Sequence, residues 1–178
     1  MEHTLELEKA LNELKRITGV QLEVSAGTPE ETSQALTQIR CLCTAYKEKY
    51  NKADFLKGLM LNGIPSYDIS ERASRLHISP DEDRVLFLLE TKASDDVVTE
   101  ILKNLFPSQT KTYLVPVTEN GLAVLRPMKS GETDSSMKQI ASTIVDTLNT
   151  EALTHVQISY SSVIHNLAEL SGAFRETS

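Results

Sequence analysis

Two cysteines two residues apart, Cys41-x-Cys43, are the first residues whose type and spacing invite chemistry, because a pair of thiolates is half of a tetrahedral zinc shell. The apolar pattern around them is helical, however, and on a helix residues two apart point about 200° from each other. They read as packing thiols that share no metal, and with no other cysteine in the chain they cannot build a disulfide framework. His77, His155 and His165 stand at no ligand spacing. Ser161 and His165 would supply two members of a hydrolytic triad with some aspartate. Any chain of this size permits that combination, and no Gly-x-Ser-x-Gly elbow supports it. The seven glycines never occur as Gly-x-Gly, and neither a dinucleotide fingerprint nor a P-loop is present.

One segment imitates a DNA reader. Residues 69–80, Ile-Ser-Glu-Arg-Ala-Ser-Arg-Leu-His-Ile-Ser-Pro, have the Ala-x-x-Leu-x-Ile spacing of the first helix and turn of a helix-turn-helix. A polar or basic recognition helix should follow. Instead Asp81-Glu82-Asp83-Arg84 leads into an apolar run, and three carboxylates would be repelled by phosphates. The last quarter is no better suited: from Thr133 on, Lys138 and Arg175 are the only Lys or Arg, against five acids. The whole chain carries 18 Lys+Arg and 25 Asp+Glu, a net charge of −7, which argues against a dedicated phosphate-backbone binder. Its 178 residues are 40% apolar and 24% charged, enough to bury a core as one medium domain or a small domain with a helical extension. No apolar run approaches the roughly 20 residues of a membrane span. The acidic N-terminus has no signal-peptide core, so the expected compartment is the cytoplasm.

The elements that would position any site change character midway. Leu7, Leu11, Leu14 and Thr18 form a helical stripe, closed by Gly19, over about residues 4–18. Residues 20–24 alternate apolar and polar, which predicts a short strand, and Ser25-Ala26-Gly27 breaks it. Thr28-Pro29-Glu30-Glu31 predicts a helix start with a capping box, and Leu36, Ile39, Cys43, Tyr46 and Tyr50 carry its stripe to about residue 51. The two stripes are too short to define a coiled coil and could pair with each other, with the following domain or with a second copy of the chain. A third helix is expected over 53–60 and a fourth, capped by Asp68, through Ile69, Ala73, Leu76 and Ile78. Val85-Leu86-Phe87-Leu88-Leu89 then has the unbroken apolar character of a central strand covered on both faces. A helix opening at Ser94 follows, then strands over 112–117 and 122–127 flanking the hairpin signal Asn120-Gly121. Pro116, which lacks an N–H, places the first of these strands near a sheet edge. A long helix through Met137–Leu148, a strand over 155–160 and a helix over 167–174 complete the chain. The expected fold class is α+β: N-terminal helices (1–51), then a mostly antiparallel sheet with helices packed on it (52–178).

Order and spacing across nearly the whole chain carry a resemblance. Residues 28–50, including Gln38-Ile39-Arg40-Cys41-Leu42-Cys43-Thr44-Ala45-Tyr46, the helix at Asp54-Phe55-Leu56-Lys57-Gly58-Leu59-Met60, Arg72-Ala73-x-x-Leu76-x-Ile78, and Ile144-Val145-Asp146-Thr147-Leu148-Asn149 are the carrying segments. The chain resembles the N-terminal and middle parts of bacterial transcriptional regulators of the purine-catabolism and sugar-diacid type (PucR/CdaR-like). The closing Ala173-Phe174-Arg175-Glu176-Thr177 is similar to that family's small–aromatic–x–Glu–small motif, with Ala and Thr where Ser and Ala are usual.

The resemblance implies a middle domain of diguanylate-cyclase (GGDEF-like) type that has lost its catalytic residues. It also implies a DNA-reading helix-turn-helix located C-terminal to it, beyond the point where this sequence stops. A working cyclase of that fold needs a Gly-Gly-Asp/Glu-Glu-Phe turn and an Asp near the end of the first strand to hold metal ions. Here the turn is Thr118-Glu119-Asn120-Gly121-Leu122 and the strand ends Leu89-Glu90-Thr91-Lys92. No catalytic, cofactor-binding or metal-binding residue and no cofactor is therefore expected, and no enzyme. The expected function is the sensing and oligomerisation part of a transcription regulator. It would act as a homodimer joined through residues 1–51, answering to a small-molecule effector of unidentified chemistry, touching DNA only through the absent region and never a membrane. The alternative is a degenerate domain that holds a nucleotide or small ligand without turnover.

Overall fold

The computed structural model describes residues 2–25 and 27–178, with the side chains of all of these except 2, 3 and 48–51. Ala26 of the expected break and the side chain of Tyr50 in the expected stripe lie outside them. The chain divides into two compact units, Met1–Lys52 and Ala53–Ser178.

The first unit is helical. Helix α1 (Glu2–Thr18) ends where Gly19, at φ +72°, gives its N–H to Lys15 O at 2.8 Å, the left-handed cap that glycine adopts without a Cβ penalty. Helix α2 (Pro29–Met60) begins at the expected capping box. Glu31 N–H donates to Thr28 Oγ1 at 3.2 Å while Thr28 N–H donates back to Glu31 Oε2 at 3.1 Å. Leu7, Ala10 and Leu14 pack with Leu36, Ile39 and Cys43 in a small core. Two expectations fail here. Residues 20–24 form no strand, because a strand needs a ladder partner for its N–H and C=O groups and every strand of the described chain lies within residues 84–160. Instead of ending near residue 51, α2 continues to Met60. The residues at the expected junction, Tyr50-Asn51-Lys52-Ala53, include neither glycine nor proline, so nothing interrupts the backbone ladder.

The second unit is a four-stranded sheet, order β2-β3-β1-β4, antiparallel at each pairing. Its elements are helix α3 (Ser66–Arg75), β1 (Arg84–Thr91), α4 (Asp95–Leu105), β2 (Tyr113–Thr118), β3 (Gly121–Pro127), α5 (Asp134–Glu151), β4 (Val156–Tyr160) and α6 (Leu170–Thr177). Two split βαβ units, β1-α4-β2 and β3-α5-β4, each skip one strand, which gives a β-α-β-β-α-β ferredoxin-like arrangement. The α+β expectation is met.

Alternation along β1 explains the layers. Val85, Phe87 and Leu89 face Val98 and Leu102 of α4 and Met137, Ile144 and Leu148 of α5. Leu86 and Leu88 face the opposite core, with Phe55, Leu56 and Leu59 from the end of α2, Ala73 of α3 and Leu170 and Ala173 of α6. Burial on both faces is why this strand is apolar without interruption. Strand β2 is an edge, and its Pro116 is exposed there, as its missing N–H requires.

The turn signals act at shifted positions. Helix α2 closes with Asn62 at φ 56°, Asn62 N–H to Leu59 O (3.2 Å) and Gly63 N–H to Gly58 O (2.7 Å), so Asn62 rather than Gly63 takes the left-handed place. The same Schellman geometry ends α3: His77 at φ 56° gives its N–H to Ser74 O (3.1 Å), and Ile78 N–H reaches Ala73 O (2.8 Å). That helix is capped by Pro65 and begins at Ser66, so its cap lies three residues before the expected Asp68. After α3 the chain enters β1, with no recognition helix between them.

Candidate functional site

The β2–β3 hairpin is where a cyclase of this topology would hold its metals, and its turn is seated on the carboxyl end of β1. Thr91 N–H donates to Asn120 O at 3.0 Å, and Gly121 is the register partner of Glu90. Glu119 and Asn120 make the turn, with Thr118 opposite Gly121 and a register shift between Pro116 and Thr118. Glu119, Asn120 and Gly121 all lie outside the left-handed region. The Asn-Gly pair therefore marks the hairpin but does not occupy its centre. A Cβ at 121 would sit 2.5 Å from Thr118 Oγ1, so any larger residue there requires that side chain to move.

The polar groups beside this turn serve the scaffold. Thr91, buried at the end of β1, places its hydroxyl 3.1 Å from Thr154 Oγ1 and accepts Ala93 N–H at 3.2 Å. Glu90 and Glu119 are exposed. Divalent-metal chemistry on a triphosphate needs several carboxylates converging on the ions. Among the described residues no three His, Cys, Asp or Glu side chains come together in that way. The donor set at the hairpin does not fit a two-metal centre.

The other residues singled out by type fall apart in space or into structural roles. Cys41 is exposed and Cys43 buried on α2. His77 is the left-handed cap residue of α3, and His155 is exposed before β4. His165 Nδ1 lies 2.6 Å from Asp83 Oδ1, an exposed pair whose hydrogen bond and charge hold the imidazole pKa above its ordinary value. Ser161 is buried, and its hydroxyl accepts Leu86 N–H (3.1 Å) and donates to Ser162 O (2.7 Å). It pins the chain after β4 to β1 and is not poised as a nucleophile.

Two buried arginines matter that residue-type reasoning passed over. Arg84, at the start of β1, is 1% exposed. Its Nη2 donates to Ser79 O at 2.7 Å and Glu82 Oε2 at 3.0 Å, while Nε and Nη1 have no hydrogen-bond partner. Burial pulls its pKa down against the pull of Glu82, and burial likewise pushes the neighbouring Tyr113 hydroxyl up. Arg126, near the end of β3, is 9% exposed and makes a two-pronged pair with Glu132, Nη1 to Oε2 at 2.7 Å and Nη2 to Oε1 at 2.6 Å. That bond holds the Glu132 carboxyl below its ordinary range. The pair stands in a groove of about 440 Å³ whose apolar lining is Leu105, Phe106, Ile140 and Ile144. Both arginines terminate an apolar strand run, a signal the sequence does contain.

Strand order and connections give an α+β fold of ferredoxin-like topology. The comparisons agree with it: a family model described as the GGDEF-like domain matches residues 62–178. The chain belongs to the GGDEF-like domain family. No curated protein and no solved structure matches it. No helix among the described residues is long and apolar enough to cross a membrane.

Proposed function

We propose that this chain is a regulatory, non-catalytic module: the sensing and oligomerisation part of a bacterial transcription regulator of the purine-catabolism and sugar-diacid type. What carries the reading is the hairpin turn, where Glu119 is the only carboxylate between Thr118 and Leu122 and the adjoining strand end is tied up by the Thr91–Thr154 contact. A scaffold of cyclase type without its metal-holding acids can bind and transmit but has no means of polarising a triphosphate. The sequence resemblance is what supports the regulator part of the reading. Residues 1–51 would join two copies, a role favoured by the exposed Leu5 on α1 and Leu42 on α2. DNA would be read only by a helix-turn-helix outside this sequence. The test is incubation of the full chain with GTP and Mg²⁺ or Mn²⁺, followed by chromatography of the nucleotides. GTP is expected to be recovered unchanged; a cyclic dinucleotide product would overturn the reading.

A second reading, a domain that holds a small ligand without turnover, is favoured by the groove beside Arg126. A melting-temperature screen with nucleotides and diacids separates the two, because a ligand that binds only the folded state must raise the midpoint.

A further inference from the structure

The Arg126 groove has the parts of a carboxylate receptor, with one carboxylate already in it. Three N–H donors converge on Glu132: Nη1 and Nη2 of Arg126, and the backbone N–H of Lys129, 2.9 Å from Oε2. The guanidinium is nine-tenths buried, so the pair is poorly screened by water. Glu132 stands on the short loop between β3 and α5, in which Lys129, Ser130 and Gly131 are exposed and Gly131 has φ +84°. The acid is thus delivered by a solvent-facing loop, while the arginine is fixed in the sheet.

Beside this cradle the groove opens over an apolar lining, Leu105 and Phe106 at the end of α4 and Ile140 and Ile144 on α5. Ser136, Gln139 and Thr143 follow the helical spacing of α5 along its polar side. Its volume of about 440 Å³ is that of a small-molecule site. A buried arginine and apolar side chains lining one groove match a molecule with a single carboxylate and an apolar tail.

We propose that this groove binds a small monocarboxylate with an apolar body, and that Glu132 holds the carboxylate's place until such a ligand displaces it. The proposal rests on the reading of the chain as a sensing module and names its effector class. Displacement would free the β3–α5 loop, which gives the binding event a mechanical output. A tethered competitor acts at an effective concentration of order millimolar, so it weakens an external ligand without abolishing it.

The probes are 4-phenylbutyrate and its neutral amide, titrated calorimetrically at pH 7 into the full chain. Glu132→Ala is expected to bind the acid at least about tenfold more tightly than the unmodified protein. Arg126→Met is expected to lose it, and the amide to bind neither form. Thr143 lines the groove and hydrogen-bonds Gln139 O, not the ion pair, and Thr143→Phe is expected to block the acid. Equal affinities for the unmodified protein and Glu132→Ala, or equal binding of acid and amide, would overturn the proposal. Should Glu132→Ala lack native far-UV dichroism, the unmodified protein decides: saturable heat that Thr143→Phe removes supports the proposal, and its absence refutes it. Turnover of GTP would sink the sensing-module reading and leave this titration standing, whereas a silent titration with no turnover sinks the groove alone.

Discussion

His165 and Asp83 meet 2.6 Å apart where the segment after β4 lies against the start of β1, beside the bridge between Arg84 and Ile164. The hydrogen bond to Asp83 and then its charge raise the imidazole pKa, with Glu169 adding to the effect and solvent exclusion opposing it. A raised folded-state value means that the protonated ring stabilises the fold. That contribution is complete below the free imidazole value of about 6.5, and is lost as pH rises through the higher folded value. Urea midpoints measured from pH 5 to 9 should therefore fall on the alkaline side, and Asp83→Asn should flatten that part of the curve. A profile unchanged by Asp83→Asn would contradict it. Both side chains are more than half exposed, so the effect should be small and weakened by salt. Glu132 works in the opposite sense: its depressed value adds stability above the ordinary carboxylate range, lost as pH falls through the folded value.

Elements were legible in the sequence where one local signal coincided with one tertiary demand. The capping box at Thr28 and Glu31, the glycine end of α1 and the doubly buried β1 are of this kind. The tail of α2 was misread because its apolar stripe shifts at a point where no residue ends a helix. Residues 20–24 were misread because alternation cannot reveal whether a partner strand exists. The site was less legible still. The two arginines are held by partners at Glu82, Ser79 and Glu132 whose proximity depends on loop geometry, and periodicity is silent about loops. The hairpin offers a prediction at this scale. Gly121→Ala puts a methyl 2.5 Å from Thr118 Oγ1, and the strain should cost about 1–3 kcal/mol in urea denaturation. Thr118→Ala in the same chain removes the obstructing hydroxyl, so the double variant should recover most of that loss. Strictly additive effects would show that the clash is not the cause.

The whole molecule has two units with separate cores, a helical one of Leu7, Leu14, Leu36 and Ile39 and a sheet with helices on both faces. A two-helix unit with so few buried side chains would gain from the association proposed above, since small cores are marginal alone. Light scattering on the full chain should return twice the monomer mass, and Leu42→Glu, on an exposed α2 position, should lower it. A monomer mass before substitution would refute the dimer.

At the hairpin edge the cyclase-like scaffold presents Glu90 and Glu119, and among the described residues no cluster of acids gathers there. Manganese titration followed by electron paramagnetic resonance tests it most directly, because each bound Mn²⁺ is removed from the free-ion signal. The signal is expected to rise with added metal as it does in buffer. A stoichiometric site with micromolar affinity, abolished by Glu119→Gln, would contradict it.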